Sequence, residues 1–109
     1  METLRGNISD TVNELNKLLL KTTDPEEEGK LRNLRRIYFA LWEEVIKQEI
    51  DSKTGEFREA IDSLKVARDA AIKAKEDLEK IAEAIDKAVA AAKAVDRIVK
   101  LGIDLLAQK

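Results

Sequence analysis

The chain has 109 residues and a formal net charge of -2, and it contains neither cysteine nor histidine. It can therefore form no disulfide and no thiolate metal site, and it lacks the side chain most often used as a general base or transition-metal ligand. The near-neutral charge argues against a dedicated nucleic-acid-binding protein, which normally carries a basic surface.

The composition favours helices. Charged residues make up 39% of the chain, hydrophobic residues 44% and aromatic residues 4%, which is typical of long or coiled helices. We expect one all-α domain over residues 1–109. The most apolar segment, 88–107, carries too many charged residues for a membrane span, and the N-terminus lacks a signal-peptide pattern. These features predict a cytoplasmic protein without membrane insertion.

The first predicted helix covers about residues 9–22. Ser9 or Asp10 can cap its free N–H groups, and Thr11 with Glu14 also fits a capping box, so the sequence leaves its first residue open. Apolar residues recur downstream at helical spacing.

The second predicted helix covers about residues 25–50 and has the clearest start in the chain. Asp24 can cap it, Pro25 suits its first position, and Glu27 stands where a capping box places an acid. Its apolar residues form two adjacent stripes, which indicates contact with more than one neighbour. Tyr38 is expected in the core, whereas Phe39 and Trp42 fit core and interface equally well.

The third predicted helix covers about residues 55–107, with Thr54 as a plausible cap. An apolar or small residue returns every three or four positions from Phe57 to Leu106, as in a heptad repeat. The short turn at 51–55 predicts that helices two and three are antiparallel neighbours.

Helix lengths favour self-association. A helix of about 50 residues is roughly 75 Å long, whereas the second helix reaches only about 39 Å. The C-terminal part of the third helix then needs another cover, and a second copy of the chain is the simplest. We therefore predict a dimeric antiparallel helical bundle or coiled coil. The alternative is a monomeric four-helix bundle with a break near 75–77 capped by Asp77; the sequence offers no glycine or proline there.

The predicted function is that of a non-enzymatic interaction module, such as an adaptor, an accessory or assembly protein, or an inhibitor. It would form a homodimer and bind an unidentified protein partner, without nucleic acid, metal or other cofactor. The candidate interface residues are Phe39, Trp42, Ile46, Leu78, Ile85, Val89, Ala92, Ile98, Val99, Ile103 and Leu106. No catalytic residues are predicted.

Two further features have competing interpretations. The alanines at 84, 88, 91 and 92 predict either tight helix packing, which we favour, or a groove for an apolar ligand or an amphipathic partner helix. The basic cluster Lys30, Arg32, Arg35 and Arg36 is consistent with an anion-binding patch, but Glu26 and Glu28 stand four residues before two of these bases. A self-paired, solvated helix face is the favoured explanation.

Overall fold

The computed structural model describes residues 3–48 and 54–102, and these form an all-helical bundle. Its elements in chain order are helix α1 (Leu4–Lys21), helix α2 (Pro25–Lys47), helix α3 (Gly55–Glu76), a single 3-10 turn (Leu78–Lys80) and helix α4 (Ile81–Val99). The all-α prediction is confirmed.

Helix α1 begins earlier than the sequence predicted. The Thr3 hydroxyl, and not a side chain at 9–11, accepts the first free N–H, from Gly6 at 3.0 Å. Leu4 and Ile8 are both buried in the core, so the apolar stripe begins one turn upstream of the predicted cap. Burial of that turn explains why the helix extends to Leu4.

Helix α2 begins as predicted. The Asp24 carboxylate accepts the Glu27 N–H at 3.3 Å, and Pro25 is the first helical residue. The helix ends at Lys47 and not near 50, since Gln48 has extended backbone; residues 49 and 50 lie outside the described residues.

The continuous third helix is wrong, and the alternative break near 75–77 is what the fold adopts. Helix α3 ends at Glu76, and Asp77 has extended backbone with its carboxylate accepting the Glu79 N–H at 3.1 Å. The molecule measures 39 × 29 × 18 Å. A single helix of about 50 residues would need roughly 75 Å.

The heptad pattern does not reveal this break, because a reversal leaves the same stripe facing inward on both sides. Helices α3 and α4 fold against each other through small residues, with Ala67, Ala71, Ala88 and Ala92 all buried. Because the chain reverses at Asp77, its own helices cover the apolar stripe of α4. In a continuous helix this stripe would have needed a second copy of the chain to cover it.

The helices form two hairpins packed side by side. The principal contacts are α1–α2, α3–α4, α1–α3 and α2–α4. The Thr11 hydroxyl lies 3.2 Å from the Leu64 carbonyl oxygen, and further along both helices Glu14 pairs with Lys75, so α1 and α3 are parallel. Tyr38 hydrogen-bonds to Ala88, and further along both helices Gln48 hydrogen-bonds to Val99, so α2 and α4 are also parallel. Helices α2 and α3 lie across the diagonal of the bundle. The two helices run antiparallel, as predicted, but the prediction that they are neighbours is wrong, because α4 takes that place beside α2.

Helix α4 ends well before the predicted residue 107. Lys100 adopts a left-handed backbone conformation, with φ 56°. The Asp96 carboxylate accepts the N–H groups of Leu101 and Gly102 at 3.0 and 3.1 Å. These bonds satisfy backbone donors just beyond the helix and fix its C-terminal turn.

The Asp77 cap yields a testable prediction. Asp77→Ala should lower the free energy of unfolding by about 1 kcal/mol, because the Glu79 N–H loses its side-chain acceptor. Urea denaturation followed by circular dichroism measures this, and Glu76→Ala, at the exposed last residue of α3, is the matched control. A more stable, elongated Asp77→Ala protein would show that the residue is what prevents a continuous helix.

Candidate functional site

Three large apolar side chains share one exposed face of α2. Phe39 is 49% exposed, Trp42 37% and Ile46 47%. Their spacing of three and four residues places them along one stripe of the helix. We call these three residues the aromatic patch; all three were predicted interface candidates, and the fold brings them together.

A shallow groove runs beside the patch where α1 and α2 meet. Its volume is about 140 Å³. The lining combines buried apolar residues, uncharged polar residues and two members of the aromatic patch: Ile8, Ser9, Val12, Asn13, Asn16, Tyr38, Phe39 and Trp42. We call it the α1–α2 groove. It offers an apolar contact surface with amide and hydroxyl groups along one wall.

Arginines stand at both ends of this groove. Arg35 donates a hydrogen bond to the Asn16 Oδ1 at 3.1 Å, which sets the antiparallel register of α1 and α2. In that register Ser9 lies opposite Trp42 and the exposed Arg5 lies at the level of Ile46. Between these ends, the α1 wall carries no charged side chain.

The buried floor of the groove is fixed by Tyr38. Its side chain is fully buried, as predicted, and its hydroxyl donates a hydrogen bond of 2.6 Å to the Ala88 carbonyl oxygen. Burial raises the pKa of this phenol far above its ordinary value, so the hydroxyl stays protonated and remains a donor.

The remaining interface candidates do not join the aromatic patch. Ile85, Ala92 and Val99 are buried in the bundle's own core, and Val89 and Ile98 are partly buried against it. Leu78 is 45% exposed in the 3-10 turn. Ile103 and Leu106 lie outside the described residues. The helix break explains this, because it turns the C-terminal stripe inward.

The predicted alanine groove is closed. The alanines at 84, 88, 91 and 92 are all buried, with exposures of 0–1%. Neighbouring helices fill the space, in agreement with the tight packing that the sequence analysis favoured over a groove.

Two of the four bases in the basic cluster pair with acids of the same helix, as the favoured explanation predicted. Glu26 and Lys30 approach to 3.4 Å, and Glu28 forms an ion pair with Arg32. Both pairs span one helical turn. Arg36 has no ion pair with any described residue and stays exposed near the aromatic patch.

The least exposed ion pair among the described residues lies elsewhere, between α1 and α3. Lys75 donates a hydrogen bond to Glu14, and both side chains are less than one-fifth exposed. This bond holds the pKa of the Glu14 carboxyl below its ordinary value; burial opposes the shift and Lys17, at 3.3 Å, supports it. The pair joins the two hairpins and has no counterpart in the groove.

Because of Glu14, the free energy of unfolding should decrease at acidic pH. A carboxyl whose pKa is lower in the folded state stabilises the fold above its unfolded pKa of about 4.3, and this contribution disappears as pH falls through the folded value. We therefore expect Glu14→Gln to lower the free energy of unfolding by about 1 kcal/mol at pH 7. Below about pH 4.5, the free energy of unfolding of this variant should fall less steeply with pH than that of the wild type. Urea midpoints from pH 2 to 7 measure it. Asp86→Asn, at an exposed carboxyl of α4, is the matched control.

Other exposed apolar residues occur in more charged surroundings. Leu20 and Ile72 flank an open α1–α3 depression lined by Lys17, Lys21, Lys75 and Glu76. Val66 borders a depression between α3 and α4 lined mainly by charged residues. Neither depression contains an aromatic side chain, so the α1–α2 groove is the candidate site.

Sequence reasoning found the aromatic patch but missed the opposite wall. The sequence prediction gives Ser9 only the role of a helix cap and does not include Asn13 or Asn16. Their signal was present: polar but uncharged residues recur at 9, 13 and 16, on an outer face where charged residues would be expected. This signal becomes interpretable only when α1 is known to begin at Leu4 and to pack against α2.

Within the described ranges, no three acidic side chains come together as a metal site, and no helix is both long and apolar enough to cross a bilayer. Comparisons with protein-family models, curated proteins and solved structures find no match.

Proposed function

We propose that this chain is a non-enzymatic protein–protein interaction module that binds its partner through the aromatic patch and the α1–α2 groove. The observation that carries the proposal is the exposure of Phe39, Trp42 and Ile46 on one face of α2. Scattered exposed apolar residues are normal on a protein surface, whereas a contiguous stripe marks an interaction site, because one partner can remove all of its apolar area from water at once.

The residue types support a protein partner. Tryptophan is enriched among the residues that contribute most to protein–protein affinity, and Trp42 is the chain's only tryptophan. A polar wall with Ser9, Asn13 and Asn16 beside an apolar stripe matches the usual pattern of an apolar centre with a polar rim. The lack of histidine and cysteine in the sequence agrees with a non-enzymatic role.

The alternative, a carrier of a small apolar ligand, has less support. The α1–α2 groove holds about 140 Å³, whereas pockets for drug-sized ligands usually measure about 300–1,000 Å³. An amphipathic partner helix, which lies on a surface and needs no deep pocket, fits this groove better.

The predicted homodimer loses its original argument, because Ile85, Ala92 and Val99 are covered by the chain's own helices. If two copies associate, the aromatic patch is the surface that would meet. Self-association through this patch is therefore the competing version of the proposal, and a cytoplasmic location stays a prediction.

Site-specific crosslinking tests the proposed surface. A photoreactive phenylalanine analogue at position 39 should give discrete protein adducts in the native host, because Phe39 would lie within the interface. The same analogue at Val66, which is 48% exposed on α3, is the matched control and should give none. Equal labelling at both positions, or none at position 39, would contradict the proposal.

A further inference from the structure

The α1–α2 groove carries positive charge at both of its ends. Arg35 and the exposed Arg36 stand at one end, and the exposed Arg5 lies near Ile46 at the other. Glu43 and Glu44 lie on α2 between these arginines: the Glu43 carboxylate is exposed next to Trp42, whereas Glu44 is partly buried and pairs with Lys47 at 3.7 Å. The surface around the aromatic patch is therefore basic at both ends, and its apolar middle is bordered by one exposed carboxylate, that of Glu43.

We infer that this groove accepts an amphipathic helix of a partner protein whose polar flanks are acidic. The inference rests on the proposed function and specifies its ligand. The patch residues, at positions i, i+3 and i+7 of α2, form a narrow stripe that suits the apolar face of another helix. Carboxylates on the flanks of that helix would meet the arginines, which bind carboxylates well through their planar guanidinium groups.

The groove also sets the length of the occupant. From Arg35 to Ile46, helix α2 rises about 16 Å, or about three helical turns. A partner segment of about 11 or 12 residues would cover this distance. An extended peptide has less to bind, because the described elements are all helical and offer no strand edge for it to pair with.

A second copy of this chain would fit the groove less well than an acidic helix, because its own groove is also basic at both ends. A two-fold axis brings the same surface of two molecules together. Because arginines lie at both ends of the groove, parallel and antiparallel pairing alike would place arginine against arginine. Beside the patch, Glu43 is the exposed carboxylate that would oppose them, because Glu44 already pairs with Lys47. An acidic partner meets no such repulsion.

Trp42 allows a direct test, since it is the only tryptophan and borders the groove. Two tryptophan-free helical peptides of about 18 residues share a leucine face and carry either glutamate or lysine elsewhere. The glutamate peptide should shift the Trp42 emission saturably and bind at least about tenfold more tightly than the lysine peptide. The preference should weaken as salt is raised.

Charge reversal supplies the matched variants. Arg5→Glu with Arg36→Glu should abolish or invert the preference for the glutamate peptide, because these arginines are exposed and support no described ion pair. Lys80→Glu with Lys87→Glu, beside the α3–α4 depression, should leave it unchanged. Circular dichroism confirms that each variant is folded.

The outcomes separate the inference from the proposed function. Equal binding of both peptides, together with adducts at position 39, would overturn the acidic helix and keep the interaction surface. A patch-dependent dimer in sedimentation would overturn it in favour of a second copy. A saturable Trp42 shift with dodecanoate but with neither peptide would overturn it in favour of a small ligand. Absence of both adducts and peptide binding would remove the proposed function as well.

Discussion

Tyr38→Ala is expected to destabilise the protein more than any other single change considered, by about 3–5 kcal/mol. Tyr38 is the largest of the fully buried side chains. It lies on α2 and reaches the backbone of α4, so it fills the space between the two hairpins as well as forming a hydrogen bond. Domains of this size are commonly stable by about 5–15 kcal/mol, so the loss would be a large share of the total.

Tyr38→Phe is the matched control, since it removes only the hydroxyl. The Ala88 carbonyl oxygen lies in the middle of α4 and keeps its helical N–H partner, so loss of the 2.6 Å bond should leave no unsatisfied acceptor. We expect a cost of about 1 kcal/mol. Guanidinium denaturation of both variants measures the difference. Equal destabilisation would mean that the hydrogen bond, and not ring packing, holds the hairpins together.

Ala88→Leu is expected to have the next largest effect, about 1–3 kcal/mol or more. Ala88 is fully buried, and the Tyr38 hydroxyl contacts its carbonyl oxygen. A larger side chain must push α4 away from its neighbours, since protein interiors are close-packed and yield little. The closed alanine face of α4 is the reason that two helices can approach it.

Ala90→Leu provides the comparison, because Ala90 is exposed on the same helix two residues further on. Both changes add the same atoms and have the same helix propensity, so only burial differs between them. Thermal or denaturant unfolding should give nearly wild-type stability for Ala90→Leu. A tolerated Ala88→Leu would indicate spare room beside α4 and would reopen the possibility of an apolar ligand there.

Local signals in the sequence predicted several elements well. Asp24, Pro25 and Thr54 mark helix starts by side-chain chemistry, and the structure places each in that role. These signals depend on hydrogen bonds within four residues of chain, so no knowledge of the tertiary fold is needed to recognise them.

The sequence alone could not show that a break at Asp77 is preferred over a continuous helix. Asp77 was recognised as a possible cap, but the heptad continues through it, and neither glycine nor proline marks the turn. What decides the outcome is the burial gained when α4 folds back onto α3. That gain depends on contacts between residues far apart in the chain, which periodicity does not contain.

At the candidate site, too, local features could be predicted from the sequence, whereas features that depend on tertiary contacts could not. Phe39, Trp42 and Ile46 were recognisable as a stripe on one helix, although core and interface could not be separated for the first two. Their exposure depends on which helices cover α2, and that follows from the diagonal placement of α3. The groove wall on α1 depends on the same arrangement.

Both walls of the α1–α2 groove come from the first hairpin, a single continuous stretch of chain ending at Gln48. The alanine-rich second hairpin contributes no residue to the groove lining. The proposed binding surface thus lies on the first hairpin alone, and the second hairpin packs behind it. Substitutions on the surface of one hairpin can accumulate without altering the other, provided that the contacts of Tyr38 and Thr11 between the hairpins are preserved.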